Sequence, residues 1–247
     1  MLFTRSGREI LFSEEEIQRW ISRDRELGKR IETTPEKYPI RKASYVSRNK
    51  YILPFTGTWL AGGIHHQHCV RYAWDFVVID GSDFHLAGAG MTDDEIIALK
   101  MRRGTDEGNP RDFLCYCREI VAPAGGKIIA ASEPEDFKKD NADGQGHIVI
   151  DHGNGEYGRL CHVLGRSIRV RTGDIVTQGQ VLCLAGGKHG DGIGQVPHLH
   201  WDVWDHPHFL FAKGLPVRVS RAMVHNDGRQ RTRHDFYIQR GMLVSNA

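Results

Sequence analysis

Residues 168–187 read IRVRTGDIVTQGQVLCLAGG, and this stretch decides the fold. Short runs rich in β-branched residues are separated by turn-forming positions at Gly173-Asp174 and at Gly179. Such runs, bounded by glycine turns, are typical of antiparallel β-strands. The stretch therefore predicts strands joined by tight turns.

The same pattern continues on both sides of this stretch. The runs REIVAP (118–123), GKIIAAS (126–132) and GHIVIDHG (146–153) alternate with the turn signals NADG and HGNG. Upstream runs at 51–55 and 72–80, and the tail from residue 215, add further strand-like segments. We predict a mainly β fold, an antiparallel β-sandwich of the barrel-sandwich hybrid kind, with a groove across one sheet.

Two segments depart from the β pattern. Residues 1–47 are predicted to form an N-terminal helical extension, because Ser13 to Glu16 resemble a capping box ahead of apolar residues at helical spacing. Residues 48–247 are predicted to form the β domain, interrupted by an insertion at about 81–112. Within the insertion, Thr92 and Glu95 suit a capping box that opens one short helix ending near Arg103.

Composition excludes several classes of protein. The 247 residues are 40% hydrophobic and 26% charged, as in ordinary globular proteins. A net charge of +2 supplies no overall field for nucleic acid or an anionic membrane, so neither partner is expected. No apolar run reaches the ~18 residues of a membrane span, and no secretory signal is visible. The sequence alone therefore indicates the cytoplasm, unless the substrate lies in the cell envelope or outside the cell.

The candidate functional residues are mainly histidines. His198 and His200 fall in a strand-like run and lie two residues apart, so their side chains are expected on one face. A second cluster, HHQH at 65–68, precedes Asp75, a carboxylate among residues that should be buried. A lone His162 follows another strand-like run. Imidazoles and a carboxylate are the ligands of catalytic zinc, which keeps one position for water.

The order of these elements resembles the lysostaphin-type zinc metalloendopeptidases, which act on peptidoglycan. The resemblance rests on HHQHCVRYAWDF (65–76), EIVAPAGGKIIAA (119–131), GHIVIDHGNGEYGRLCHV (146–163), the 168–187 stretch and VPHLHWDV (196–203). It extends from about Gly57 to Pro216. The resemblance implies a hydrolase that cleaves stem or cross-bridge peptides with Zn²⁺ as its cofactor.

The resemblance also implies a set of metal ligands. Asp75 and His200 would bind zinc together with one histidine of the 65–68 cluster. The simplest family pattern has histidine four residues before the aspartate, whereas this chain resembles the subgroup with a longer loop. We select His66 as the third ligand, with His65 and His68 as the alternatives.

His162 and His198 match the family's pair of histidines that flank the metal without binding it. They are the expected catalytic residues, one taking a proton from water and the other donating to the developing oxyanion. Which of them is the base is left open by the sequence, as is the oligomeric state.

Two other functions remain open. A relative without activity could serve as a binding or regulatory module on the same scaffold. The 168–187 stretch also resembles the hairpin of biotin or lipoate carrier domains, but those domains present a lysine at the tip, whereas this chain has Thr-Gln-Gly.

Overall fold

The computed structural model describes residues 2–5, 8–11, 46–64, 70, 72–88, 90–100, 109–133, 146–186, 197–207, 212–226 and 229–247. In these ranges the strands are β1 Leu2–Arg5, β2 Arg8–Leu11, β3 Trp59–Ile64, β4 Trp74–Val77, β5 Glu119–Val121, β6 Gly126–Ser132, β7 His147–Asp151, β8 Tyr157–Cys161, β9 Ile175–Val176, β10 Val181–Leu184, β11 Leu199–Trp204, β12 Arg218–Asn226, β13 Arg229–Tyr237 and β14 Leu243–Ser245. Helix α1 spans Asp93–Leu99, and two 3₁₀ helices span Gly81–Leu86 and Pro110–Asp112. None of the helices in these ranges is both long enough and apolar enough to cross a bilayer.

Ten strands form one antiparallel sheet in the order β13-β12-β14-β3-β4-β11-β8-β7-β6-β9. Strands β5 and β10 form a second, two-stranded antiparallel sheet. A single hydrophobic cluster includes Phe76 and Trp201 from the large sheet and Ile120 and Leu182 from the small one. The two sheets therefore share a core, and the predicted mainly β, antiparallel fold is confirmed.

The 168–187 stretch crosses between the two sheets. Gly173 and Gly179 both have positive φ, +102° and +82°, and both predicted turns are confirmed. The strands on either side of Gly179 do not pair with each other, however: β9 pairs with β6, and β10 pairs with β5. The Gly179 amide donates to the Ala122 carbonyl oxygen at 2.9 Å, which holds the turn against the end of the small sheet. Local turn chemistry identified the strands correctly, but pairing was decided by distant partners.

Alternation along the strands separates the core face of the large sheet from its outer face. Leu199, Trp201 and Val203 of β11 are buried in the shared core. Successive side chains of a strand point to opposite faces, so His200 and Asp202 lie on the outer face. The outer face of this sheet is where the site lies.

The predicted N-terminal helical extension is not supported where that segment is described. Strands β1 and β2 form an antiparallel hairpin with Leu2 opposite Leu11. The helix predicted from Ser13 onward lies outside the described residues. The boundary at residues 47 and 48 remains a prediction.

The predicted helix of the insertion is confirmed as α1. Its capping box has the expected reciprocal bonds: Glu95 N donates to Thr92 Oγ1 at 3.3 Å, and Thr92 N donates to Glu95 Oε2 at 2.7 Å. Ile96 of the helix is buried in a small cluster that includes Val77 of β4. Val77 and Asp75 are two residues apart in one strand, so α1 covers the outer face directly beside Asp75.

Candidate functional site

Antiparallel pairing of β4 with β11 brings Asp75 and His200 together. The two residues are register partners although they are 125 positions apart in the chain. His200 Nδ1 lies 2.9 Å from Asp75 Oδ1. The Asp75 side chain is 27% exposed and that of His200 is 9% exposed. Asp75 is therefore less buried than the apolar sequence around it suggested, because its side chain points to the outer face while Trp74 and Phe76 point into the core.

His198 and His162 complete a cluster around this pair. His198 Nε2 lies 3.6 Å from Asp75 Oδ1, so His198 and His200 approach the same carboxylate and lie on one face, as their spacing predicted. The rings of His162 and His198 are 4.0 Å apart between centroids, and those of His162 and His200 are 6.2 Å apart. One carboxylate and three imidazoles thus meet at the ends of three segments that are far apart in the sequence.

The backbone at His162 is held in an unusual conformation. His162 follows β8 with φ +64°, in the left-handed region that a non-glycine residue rarely adopts. Its carbonyl oxygen accepts a 2.6 Å hydrogen bond from Gly186 N. A Cβ at position 186 would lie 2.7 Å from that oxygen, so only glycine fits there. Gly186 therefore permits the close backbone contact that fixes where the His162 ring emerges.

Behind His200 lies a buried ion pair that the sequence analysis did not identify. Arg159 Nε and Nη2 donate to Asp202 Oδ1 and Oδ2 at 3.1 and 2.9 Å. Asp202 Oδ2 also accepts from Trp204 Nε1 at 2.8 Å and lies 3.5 Å from His200 Nε2. The Asp202 side chain is 1% exposed. The signal was present in the sequence, since Asp202 lies two residues after His200 in an otherwise apolar strand, but its partner Arg159 could be found only through the pairing of β8 with β11.

The arrangement assigns a different neighbour to each nitrogen of the His200 ring. Nδ1 lies 2.9 Å from Asp75 Oδ1, whereas Nε2 lies 3.5 Å from Asp202 Oδ2 and 3.4 Å from Arg159 Nη2. The Asp202 carboxylate favours a proton on Nε2, whereas the Arg159 guanidinium can only donate and opposes one. Hydrogen bonds of this kind fix the orientation and tautomer of histidines that bind metals.

The electrostatics of the cluster follow from burial and from these contacts. Burial acts to lower the pKa of His200, but hydrogen bonds with Asp202 and Asp75 and the charges of both carboxylates outweigh it and raise that pKa to about 9. Burial acts to raise the pKa of Asp202, but the charge of Arg159 and the contact with His200 lower it to about 2. Burial, together with the neighbouring His198 and His200, holds the pKa of His162 well below its usual value. His162 is therefore a neutral imidazole at pH 7, able to accept a proton.

Asp75 and His200 supply two donor groups of the kinds that zinc takes. Ligand atoms at 2.0–2.2 Å from a tetrahedral ion are separated by about 3.3–3.6 Å, so the 2.9 Å between Asp75 Oδ1 and His200 Nδ1 would widen by about 0.5 Å around an ion. An imidazole nitrogen and a carboxylate oxygen are both common zinc ligands. In the part of the chain that the structure describes, no group of three or more His, Cys, Asp or Glu side chains is arranged to hold a metal. His66, the predicted third ligand, and its alternatives His65 and His68 lie outside the described residues.

Comparison with known proteins supports a peptidase. Residues 111–213 match the family model described as peptidase family M23. The resemblance predicted from the sequence is thereby confirmed, and it supports a hydrolase of peptide bonds. The matched range includes His162, His198 and His200, whereas Asp75 precedes it. No curated protein matches the chain.

Similar solved structures are distant. A zinc-containing peptidase from Vibrio cholerae is 16% identical, with a TM-score of 0.35, and the match covers 68% of this chain and 39% of that one. Lysostaphin from Staphylococcus simulans is 16% identical with a TM-score of 0.37, covering 69% of this chain and 53% of that one. A mutant of the catalytic domain of the prophage-encoded M23 protein EnpA from Enterococcus faecalis is 12% identical with a TM-score of 0.34. That match covers 69% of this chain and 90% of the other. The chain thus spans 39% and 53% of the length of the first two of these proteins.

Proposed function

We propose that this protein is a zinc-dependent metalloendopeptidase that hydrolyses peptide bonds in peptidoglycan stem or cross-bridge peptides. The observation that carries the proposal is the 2.9 Å approach of Asp75 Oδ1 to His200 Nδ1, with two further imidazoles beside it. Asp75 and His200 would hold the ion together with one histidine of the 65–68 cluster, His66 being the first choice. When bound, zinc supplies Lewis acidity that polarises the scissile carbonyl and makes water easier to deprotonate.

The orientation of His200 depends on Asp202 and Arg159. Asp202 Oδ2 lies 3.5 Å from Nε2 of the ring, and a proton held on Nε2 by this carboxylate would leave the Nδ1 lone pair for a cation. Arg159 and Trp204 satisfy the Asp202 carboxylate and prevent it from swinging away from the ring. We assign Asp202 and Arg159 as positioning residues, because neither faces the exposed side of the cluster where a substrate would lie.

His162 and His198 carry out the proton transfers. His162 has the properties of a base, since its pKa lies well below the usual value and its ring is neutral at pH 7. His198 Nε2 lies 3.6 Å from Asp75 Oδ1, and its ring centroid is 4.0 Å from that of His162. A protonated His198 could donate to the oxyanion of the tetrahedral intermediate, while His162 takes the proton of water and returns it to the leaving amine.

The substrate would lie across the outer face of the large sheet. Helix α1 covers this face on the β4 side of the site, and β8 and β7 continue it on the other side, where Cys161 and His147 are register partners. Side chains of neighbouring strands form a row across this face, and an extended substrate peptide could lie along that row, perpendicular to the strands. The choice of peptidoglycan rests on the family resemblance and is a further step beyond peptide hydrolysis.

The decisive experiment combines metal analysis with a peptidase assay. Purified protein should contain close to one zinc per chain and should cleave cross-linked peptidoglycan or defined peptides in a chelator-sensitive manner. His200→Ala should lose metal and activity together. His162→Ala should keep its zinc and lose activity by a factor of about 10²–10⁴, the usual contribution of a general base.

His85→Ala is the matched control, because His85 is exposed on the 3₁₀ helix Gly81–Leu86. It should change neither metal content nor turnover. If zinc is bound but no peptide or peptidoglycan is cleaved, the protein is an inactive scaffold of the same family. If His200→Ala and His162→Ala both stay active, the assignment of the site is wrong.

A further inference from the structure

The hairpin formed by β12 and β13 is strongly basic although the whole chain is nearly neutral. Residues 218–237 contain five arginines, no lysine and two aspartates, a net charge of +3, against +2 for all 247 residues. The remainder of the chain is thus slightly acidic. Positive charge is concentrated in this hairpin, which we call the arginine hairpin, rather than spread over the surface.

Three of these arginines form a row on one strand. Arg229, Arg231 and Arg233 alternate along β13, so their side chains point to the same side, at intervals of about 6.6 Å. All three are exposed. Across the hairpin they face an asparagine and two aliphatic residues, none of which is acidic.

The row is available to a ligand. Among the residues that the structure describes, no ion pair joins any of the three arginines to a carboxylate. The Arg233 guanidinium lies over the Phe236 ring at 5.1 Å, which restricts its side chain before any ligand arrives. Among the described strands, β13 is the terminal strand of the large sheet and pairs with β12, which leaves its other edge without a described partner strand.

We propose that the arginine hairpin is a docking site for a linear phosphodiester polymer that lacks bases. Guanidinium groups bind phosphate through paired hydrogen bonds, which explains the use of arginine in place of lysine. A row at intervals of about 6.6 Å suits an extended chain with one anion per repeat. Asp75 is four strands away in the same sheet, roughly 20 Å along it. It lies on the opposite face, because Arg231 and Arg233 pair with Val224 and Ala222 of the core face. A polymer on the hairpin would therefore not enter the site.

The hairpin lacks what a reader of single-stranded nucleic acid needs. Sequence-tolerant binding of such strands depends on exposed aromatic side chains on which bases stack. Of the Phe, Tyr and Trp residues in the hairpin, Phe236 is 5% exposed and belongs to the core, and Tyr237 is half-buried. His234 is the one exposed ring among the described residues of the hairpin. The ligand expected here is therefore the charged backbone alone.

A purely structural role for the row is also physically reasonable, and it makes a different prediction. Charged side chains on an edge strand discourage edge-to-edge association, and arginine stems can cover apolar neighbours. Both roles predict aggregation or lower stability when the row is removed, with no effect on binding of a polyanion at low protein concentration. Phosphodiester binding and its salt dependence therefore separate the two explanations.

The experiment measures binding of the full-length protein to a fluorescent 12-mer of abasic deoxyribose phosphates between 25 and 200 mM salt. A triple variant, Arg229→Gln with Arg231→Gln and Arg233→Gln, should weaken binding about tenfold or more at low salt. Its plot of log affinity against log salt should be less steep by about 2, because each lost phosphate contact removes about 0.7 from the slope for a single strand. The matched control removes three exposed charges elsewhere, by Arg111→Gln, Arg171→Gln and Lys213→Gln, and should change affinity less than twofold.

Each result supports or overturns the proposal. Circular dichroism and thermal unfolding confirm that both triple variants are folded; if the first is not, Arg231→Gln alone should reduce the slope by about 0.7. Absence of binding by the unmodified protein at 25 mM salt, or an equal loss in the control, overturns the proposal. A dT 12-mer that binds more than tenfold tighter than the abasic chain also overturns it, because bases would then be recognised. The readout is independent of zinc and of peptidase activity.

Discussion

The contact of Asp202 with His200 predicts that an isosteric substitution behind the site weakens zinc binding. Asp202→Asn keeps the size of the side chain but removes its charge and replaces one acceptor oxygen with a donor amide. The Asp202 carboxylate now accepts from Arg159 and Trp204 and faces His200 Nε2. Because these neighbours are all donors, the amide of an asparagine must oppose at least one of them.

The expected magnitude follows from the geometry. Loss of a hydrogen-bonded carboxylate behind a metal-binding histidine typically costs 10- to 100-fold in metal affinity, about 1.4–2.8 kcal/mol. Asp202 and Arg159 are also a bidentate pair with 1% and 18% side-chain exposure, and breaking a buried pair costs about 3–5 kcal/mol of stability. We expect the unfolding free energy to fall toward the lower end of that range, because Arg159 can still reach water.

The assay is competition for zinc with a chromophoric chelator at pH 7.5, together with urea unfolding of each variant. Glu156→Gln is the matched control, since Glu156 is a fully buried carboxylate at the opposite end of β8. It accepts hydrogen bonds from Asn49 N at 3.0 Å and from the Tyr51 hydroxyl at 2.9 Å. The control should lower stability and leave zinc affinity unchanged. A folded Asp202→Asn protein that binds zinc within twofold of the unmodified protein would refute the reasoning.

Two further predictions concern buried groups away from the site. Burial lowers the pKa of His152, whose Nδ1 lies 3.0 Å from the Gly125 carbonyl oxygen. Below about pH 6.5 the unfolded chain therefore binds more protons at this residue than the folded protein does. The free energy of unfolding should fall as the pH drops further, by up to about 1.4 kcal/mol per pH unit for this group. Urea unfolding from pH 7.5 to 5.5 should show a shallower decline for His152→Gln, and parallel curves would contradict the assignment. Burial also raises the pKa of Cys115 to about 12 and raises that of Cys183, whereas Cys117 is exposed. Iodoacetamide at pH 7.5 should therefore modify Cys117 of the native protein and spare the other two, and comparable labelling of Cys115 in peptide mapping would show that its environment is more open than the structure indicates.

Local sequence patterns were sufficient for several elements. The alternation of Leu199, His200 and Trp201 separated the core face from the site face correctly, because side-chain direction in a strand depends only on neighbouring residues. The Thr92 and Glu95 capping box identified helix α1 for the same reason. The N-terminal prediction was less successful, since residues 2–5 and 8–11 pair as antiparallel strands where a helical extension was expected.

Long-range pairing was beyond what such patterns determine. Local patterns identified the strand segments of the β domain, the turns beside Gly173 and Gly179, and the histidines and carboxylate that gather on one face. Pairing between distant segments placed Asp75 opposite His200, brought Arg159 to Asp202 and put β9 and β10 in different sheets. The physical reason is that turn and strand preferences act over a few residues, whereas strand register is selected by the burial of whole faces contributed by segments more than 40 residues apart.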